Sequence, residues 1–203
     1  SSSIGAQSLL IQAESSLSIV ETTRMATFIS LLRGINVGGK NLLPMQDFRQ
    51  LLAKLGCDQV TSYIQSGNAV CKYAGKATEL SRKIAAAIET KFGFRPCVLV
   101  VTSSDFLKIV AANPYMSEGV DPGFLHIWFL QAAPRQANKK RLDDIVSDAE
   151  KFTLTNSAFY LHAPNGIGRS KLAKDVEKCL GVQATARNGR TVSKIGEMLA
   201  ALS

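Results

Sequence analysis

Val60-Thr61-Ser62-Tyr63-Ile64, Gln65-Ser66-Gly67-Asn68 and Ala69-Val70-Cys71-Lys72-Tyr73 form the stretch whose reading settles the fold. β-branched and aromatic residues suit a pleated, half-buried surface. Gly and Asn supply the backbone shapes of a tight turn. The segment reads as an antiparallel hairpin turning at residues 65–68. On its N-terminal side Phe48, Leu51, Leu52 and Leu55 repeat at i, i+3, i+4, i+7, the stripe of an amphipathic helix. Pro44 is placed to be its first residue, and Gly56 closes it. Ahead of that helix, Thr27-Phe28-Ile29-Ser30-Leu31-Leu32 is a short apolar run that reads as a buried strand. On the C-terminal side Leu80, Ile84, Ile88 and Phe92 give a second helical stripe ended by Gly93, and residues 97–101 are another apolar strand. The order is β-α-β-β-α-β.

The order then recurs. Residues 104–112 read as a short helix starting from a Ser-Ser-Asp cap cluster, followed by a Pro- and Gly-bearing loop over 113–123. Residues 125–130 read as a strand, and Leu142, Ile145, Val146 and Ala149 as a helical stripe. Runs 152–155 and 159–162 pair around Asn156-Ser157. Leu172, Val176, Cys179 and Leu180 form a helix closed by Gly181, residues 182–186 a strand, and Val192, Ile195, Leu199 and Leu202 a last helix. The expectation is an α+β fold of two ferredoxin-like (βαββαβ) halves, over 25–103 and 104–203, with extra helices in the second. The duplication is one of pattern, since no residue-level repeat joins the halves. Residues 1–24 are Ser-rich, with only Glu14, Glu21 and Arg24 charged. They lack the basic start and small-residue cleavage site of a signal peptide and read as a flexible or added extension before Met25.

The chain has 203 residues, 46% hydrophobic and 20% charged, with a formal net charge of +8. A basic surplus favours acidic partners: nucleic acid, anionic lipid or phosphorylated metabolites. Cys57, Cys71, Cys97 and Cys179 are scattered without a CxxC pair, which argues against a zinc site. With no secretory signal they are expected as free thiols in the cytoplasm. No apolar run approaches the ~20 residues of a membrane span.

Three Gly-rich, basic stretches are the candidates for function: Arg33-Gly34-Ile35-Asn36-Val37-Gly38-Gly39-Lys40, Asn165-Gly166-Ile167-Gly168-Arg169-Ser170-Lys171 and Ala186-Arg187-Asn188-Gly189-Arg190-Thr191. Each follows a strand-like run and leads into a helix-like one. Glycines let backbone approach a ligand closely, and helix starts offer unpaired N–H groups at a positive dipole end. The first stretch is not a P-loop, because Asn41 follows Lys40 where Ser or Thr is required. It also fails GxGxxG, so no nucleotide cofactor is implied. Gln65-Ser66-Gly67-Asn68 is either a plain hairpin turn or, if it lies beside the Arg33 loop, part of the same site. In the 165–171 stretch Ser170 is a helix-cap candidate flanked by Arg169 and Lys171. His126 reads as a sheet residue and Trp128 as core. His162 also reads as structural, with an acid–base role as the alternative. Two histidines without an acidic cluster make a poor metal site.

Four motifs together resemble the DUF1697 family of bacterial proteins: Leu32-Arg33-Gly34-Ile35-Asn36-Val37-Gly38-Gly39-Lys40-Asn41, Tyr63-Ile64-Gln65-Ser66-Gly67-Asn68, Pro164-Asn165-Gly166-Ile167-Gly168-Arg169-Ser170-Lys171-Leu172 and Thr185-Ala186-Arg187-Asn188. The resemblance implies a two-subdomain α+β fold with ferredoxin-like halves and directs attention to these loops. It implies no activity. The family typically carries tryptophan after the last Arg-Asn, where this chain has Gly189.

The expected function is binding of a polyanionic or phosphate-bearing ligand, nucleic acid before others, through Arg33, Asn36, Gly38, Gly39, Lys40, Gln65, Ser66, Asn68, Gly166, Gly168, Arg169, Ser170, Lys171, Arg187 and Asn188. Two other classes stay open. One is an enzyme acting on a small phosphorylated or acidic metabolite, with His162 or Ser66 near the reacting group. The other is a regulatory interaction module. Arg33, Lys40, Arg169, Lys171 and Arg187 are expected to line one cleft.

Overall fold

Strand β1 (Ala26–Arg33) runs through the interior of the first sheet, and both of its faces are covered. The structure is a computed structural model that describes residues 25–117 and 119–202; the expected extension over 1–24 lies outside them. Phe28 and Leu32 point into one core and Ile29 and Leu31 into another, which is why β1 reads as a continuous apolar run and not as an alternating one. After β1 come α1 (Met45–Lys54), β2 (Asp58–Tyr63), β3 (Asn68–Tyr73), α2 (Ala77–Phe92) and β4 (Cys97–Thr102). The sheet order is β2-β3-β1-β4, all antiparallel, the ferredoxin-like arrangement. Leu31 pairs with Asn68 on one side and Leu99 on the other.

The second half repeats this. Strand β5 (Leu125–Leu130), α4 (Lys139–Ile145), β6 (Lys151–Leu154), β7 (Ala158–His162), α5 (Lys171–Leu180) and β8 (Ala184–Asn188) give a sheet ordered β6-β7-β5-β8. Helices α1 and α2 cover the outer face of the first sheet, and α4 and α5 that of the second.

Two further helices, α3 (Ser103–Ala111) and α6 (Gly189–Ala200), join the halves. They pack in one shared core with Ile29, Leu31, Val70 and Leu99 of the first sheet and Ile127, Phe129 and Tyr160 of the second. Phe106 of α3 stacks on Phe129 of β5 with centroids 5.4 Å apart, and the Tyr160 hydroxyl donates to the Ile109 carbonyl at 2.8 Å. A cut between 103 and 104 would fall inside α3.

Several boundaries differ from the sequence reading. Pro44 caps α1 from outside and is not its first residue. The cap of α3 is Thr102, whose hydroxyl accepts from the Asp105 N–H, one residue ahead of the Ser-Ser-Asp cluster. Helix α4 stops at Ile145, because Val146 turns extended and the Glu150 carboxylate takes the Ser147 N–H. Strand β8 begins two residues late: Gly181 closes α5, and the Ala184 N–H goes to the Glu177 carboxylate.

Candidate functional site

The Arg33 loop and the hairpin turn interlock. Asn36 spends its whole side chain on this: its amide donates to the Gln65 carbonyl at 2.7 Å and the Leu43 carbonyl at 2.9 Å, and its oxygen accepts from the Leu43 N–H. Asn41 reaches back to the Gly34 carbonyl at 2.7 Å. Gly67 makes the close approach feasible. A Cβ there would lie 2.6 Å from Leu32 Cβ, and the φ of +77° suits glycine. Gly38, Gly39, Lys40, Gln65 and Ser66 remain exposed on the outside of this knot. Among the described residues Lys40 makes no side-chain hydrogen bond or ion pair.

Arg187 locks the knot to the second half. It is only 9% exposed. Its Nε donates to Asn68 Oδ1 at 2.5 Å, and its Nη2 to the carbonyls of Leu32 at 2.7 Å and Ser66 at 3.0 Å. Its Nη1 donates to the neighbouring Ala186 carbonyl at 2.8 Å. Asn68 in turn holds the turn closed, donating to the Tyr63 carbonyl and to Ser66 Oγ. Every acceptor on Arg187 is neutral, so burial pushes its pKa down to about 10; it stays charged at neutral pH. Arg187 and Asn68 therefore hold protein, and four of the guanidinium's five N–H groups are already used.

The third stretch is not a loop. Strand β8 runs through Asn188 directly into α6, and Asn188 caps that helix by accepting from the Thr191 N–H at 2.9 Å. Arg33 is likewise engaged. It forms an ion pair with Glu177 of α5 and donates to the Ala184 carbonyl. Arg190 pairs with Asp121. Sequence reasoning missed Glu177, which lies 144 residues from Arg33 and carries no local signal.

The remaining loop stands apart. Ile167–Arg169 is a single 3-10 turn leading into α5, and Ser170 caps that helix, accepting from the Ala173 N–H at 3.0 Å. With the end of α4 it frames a cleft of about 820 Å³, lined by Asn165, Gly166, Arg169, Ser170 and Lys171 on one wall and by 144–147 with Glu150 on the other. The knot borders a different cleft, of about 550 Å³, beside α1. The five bases expected in one cleft are thus divided: Arg169 and Lys171 share one, and Lys40, Arg33 and Arg187 do not line it.

His126 is buried, with Nδ1 unpartnered among the described residues, and burial lowers its pKa. His162 lies 6.4 Å from the Tyr115 ring in a stacked arrangement. Among the described residues no group of three or more His, Cys, Asp or Glu could hold a metal ion, and no helix is long and apolar enough to cross a membrane.

The family profile described as a protein of unknown function, DUF1697, matches residues 25–160. The chain belongs to the DUF1697 family. The match contains the Arg33 loop and the hairpin turn but ends before the 165–171 loop and Arg187. A solved structure, that of the conserved bacterial protein SP0830 from Streptococcus pneumoniae, is 23% identical. It covers 87% of this chain and 99% of its own, with a TM-score of 0.67; at that identity the likeness shows the fold. No curated protein matches. The family's usual tryptophan position has no room here. A Cβ on Gly189 would meet the Pro122 carbonyl oxygen at 2.6 Å, because the turn Pro122–Phe124 packs on the start of α6.

Proposed function

We propose that this DUF1697 protein binds a phosphate-bearing polyanion, nucleic acid foremost, at the cleft in front of α5. One observation carries the reading: the charges in that cleft are unequally satisfied. Both acids are engaged, Asp144 by Lys140 at 3.1 Å and Glu150 by the Ser147 N–H at 3.1 Å. Arg169 and Lys171 are exposed and have no ion pair among the described residues. They flank the first turn of a ten-residue helix, whose opening Lys171 N–H precedes any intrahelical acceptor. Unpaired cations, the Lys171 N–H and the positive end of a helix dipole favour a phosphate. The net charge of +8 adds the long-range attraction that a polymer of phosphates exploits. Lys40 and the exposed glycines of the knot offer a second point of contact for a long chain.

The test is filter binding of single-stranded RNA and DNA over a salt series. Binding should weaken steeply, with log K against log salt sloping at about −0.7 per phosphate contact. Arg169→Ala should weaken binding and flatten that slope by the share of one contact. Absence of retention at ~50 mM salt, where this electrostatic term is strong, would overturn the nucleic-acid reading in favour of a small phosphorylated metabolite.

A further inference from the structure

A third cleft, of about 490 Å³, opens where α2 and β4 of the first half meet the end of β5 and the start of β8. Its walls carry Thr78, Arg82, Arg95 and Cys97 from the first half, and Gln131 and Gln183 from the second. No carboxylate lines it. Arg82 is exposed and has no ion pair or hydrogen bond among the described residues. Arg95 is held at one edge by Glu89 at 2.6 Å, with about half of its side chain open to solvent. Across the cleft the Cys97 thiol donates to Gln183 Oε1 at 3.7 Å. That contact leaves the Gln183 side-chain amide nitrogen without an acceptor among the described residues. The Gln131 N–H bonds the Gln183 carbonyl at 2.9 Å, which fixes the two glutamines side by side.

We propose that this inter-half cleft is a binding site for a small phosphomonoester, independent of the polyanion cleft in front of α5. Three features converge on that class. Guanidinium groups present paired donors that match phosphate oxygens: Arg82 brings an unpaired charge, and Arg95, paired with Glu89, keeps about half of its side chain open for a further oxygen. Two glutamine amides supply neutral donors and acceptors for the organic part. The volume lies within the roughly 300–1,000 Å³ of small-molecule sites, which favour junctions between domains. In such a site Arg82 supplies the unpaired charge, and the glutamines and Thr78 set orientation.

Cys97 provides the assay. It is half-buried, whereas Cys57, Cys71 and Cys179 are buried, so alkylation of the folded full-length chain reports on this cleft. Rates at Cys97 are measured by peptide mapping with anionic iodoacetate and with neutral iodoacetamide; in both the thiolate sulfur displaces iodide. The iodoacetate-to-iodoacetamide rate ratio should exceed that of the same cysteine in the unfolded chain by about threefold, the effect of one nearby unit charge in water-like surroundings. Arg82→Gln should abolish that excess, while Lys174→Gln on α5 should leave it. Millimolar glycerol phosphate should slow both reagents severalfold in the unsubstituted protein, a readout that needs no variant. A folded-state ratio equal to the unfolded one, rates indifferent to glycerol phosphate, or a Cys97 inert to iodoacetamide would each overturn the proposal. None of these results bears on Arg169 or RNA retention, so the two readings fail separately.

Discussion

Replacing Arg187 with methionine isolates what joins the halves at the knot. The substitution keeps an unbranched apolar stem and deletes three hydrogen bonds that cross between halves, to Asn68 Oδ1, the Leu32 carbonyl and the Ser66 carbonyl. Bonds from a charged donor are worth about 1.5–3 kcal/mol each, so the three together contribute about 6 kcal/mol. Against them stands the cost of burying a cation with no counter-ion. Its pKa depression to about 10 corresponds to roughly 3 kcal/mol at 1.36 kcal/mol per unit. The bonds win by about 3 kcal/mol, because Asn68 is fully buried and its freed oxygen has no ready access to water. For a chain of this size that lowers Tm by about 6–12 °C. Arg187→Lys should fare little better, since one ammonium cannot serve all three acceptors in the geometry of the fork. Arg33→Gln is the contrast. Its ion pair with Glu177 is more than a third exposed on both sides, and the loss should stay within about 1 kcal/mol. Thermal unfolding by circular dichroism decides the matter. An Arg187→Met protein melting within about 2 °C of its parent would refute the claim that this guanidinium holds the halves together.

Three other outcomes are expected. Gly189→Ala should destabilise by about 1–3 kcal/mol, because the new Cβ meets the Pro122 carbonyl oxygen at 2.6 Å; denaturant unfolding with an unchanged midpoint would contradict this. His126 has a lowered folded pKa through burial, so the unfolded chain binds its proton first as pH falls. Stability should be level above the ordinary histidine value of about 6.5 and decline below it toward the folded pKa, and His126→Phe should remove that part of the decline in urea midpoints across the range. Both four-stranded sheets and the three cores packed on them are built from residues after Met25. A chain beginning at Met25 should therefore melt within about 5 °C of the full chain, and a larger fall would mean that at least roughly 1 kcal/mol had been removed.

The fold was legible because each half is built from local signals. The 65–68 turn, the stripes of α1, α2 and α5, and the closing Gly93 and Gly181 all act within a few residues of their own positions. What escaped the sequence is set by partners far along the chain. Arg187 looks like a surface base in a Gly-containing stretch, yet three of its four acceptors lie 119 to 155 residues away, and only tertiary packing turns it into a buried clamp. Asn36, Asn68 and Asn188 stand in the sequence as candidate ligand contacts, and nothing local shows that their side chains are consumed by backbone groups and neighbours. Ser170 was readable because capping is local. The cleft that Arg82 shares with Gln183 has no sequence signature, since it forms only where two halves of similar pattern and different residues meet.

The unpaired cations Arg169 and Lys171 at the start of α5 are the centre of the proposed site. Amide chemical-shift mapping with a short single-stranded oligonucleotide tests this directly. Saturable shifts should centre on residues 166–173, with Arg169→Ala reducing affinity and leaving the rest of the spectrum in place. Shifts centred elsewhere, or no saturable shifts at low salt, would contradict it.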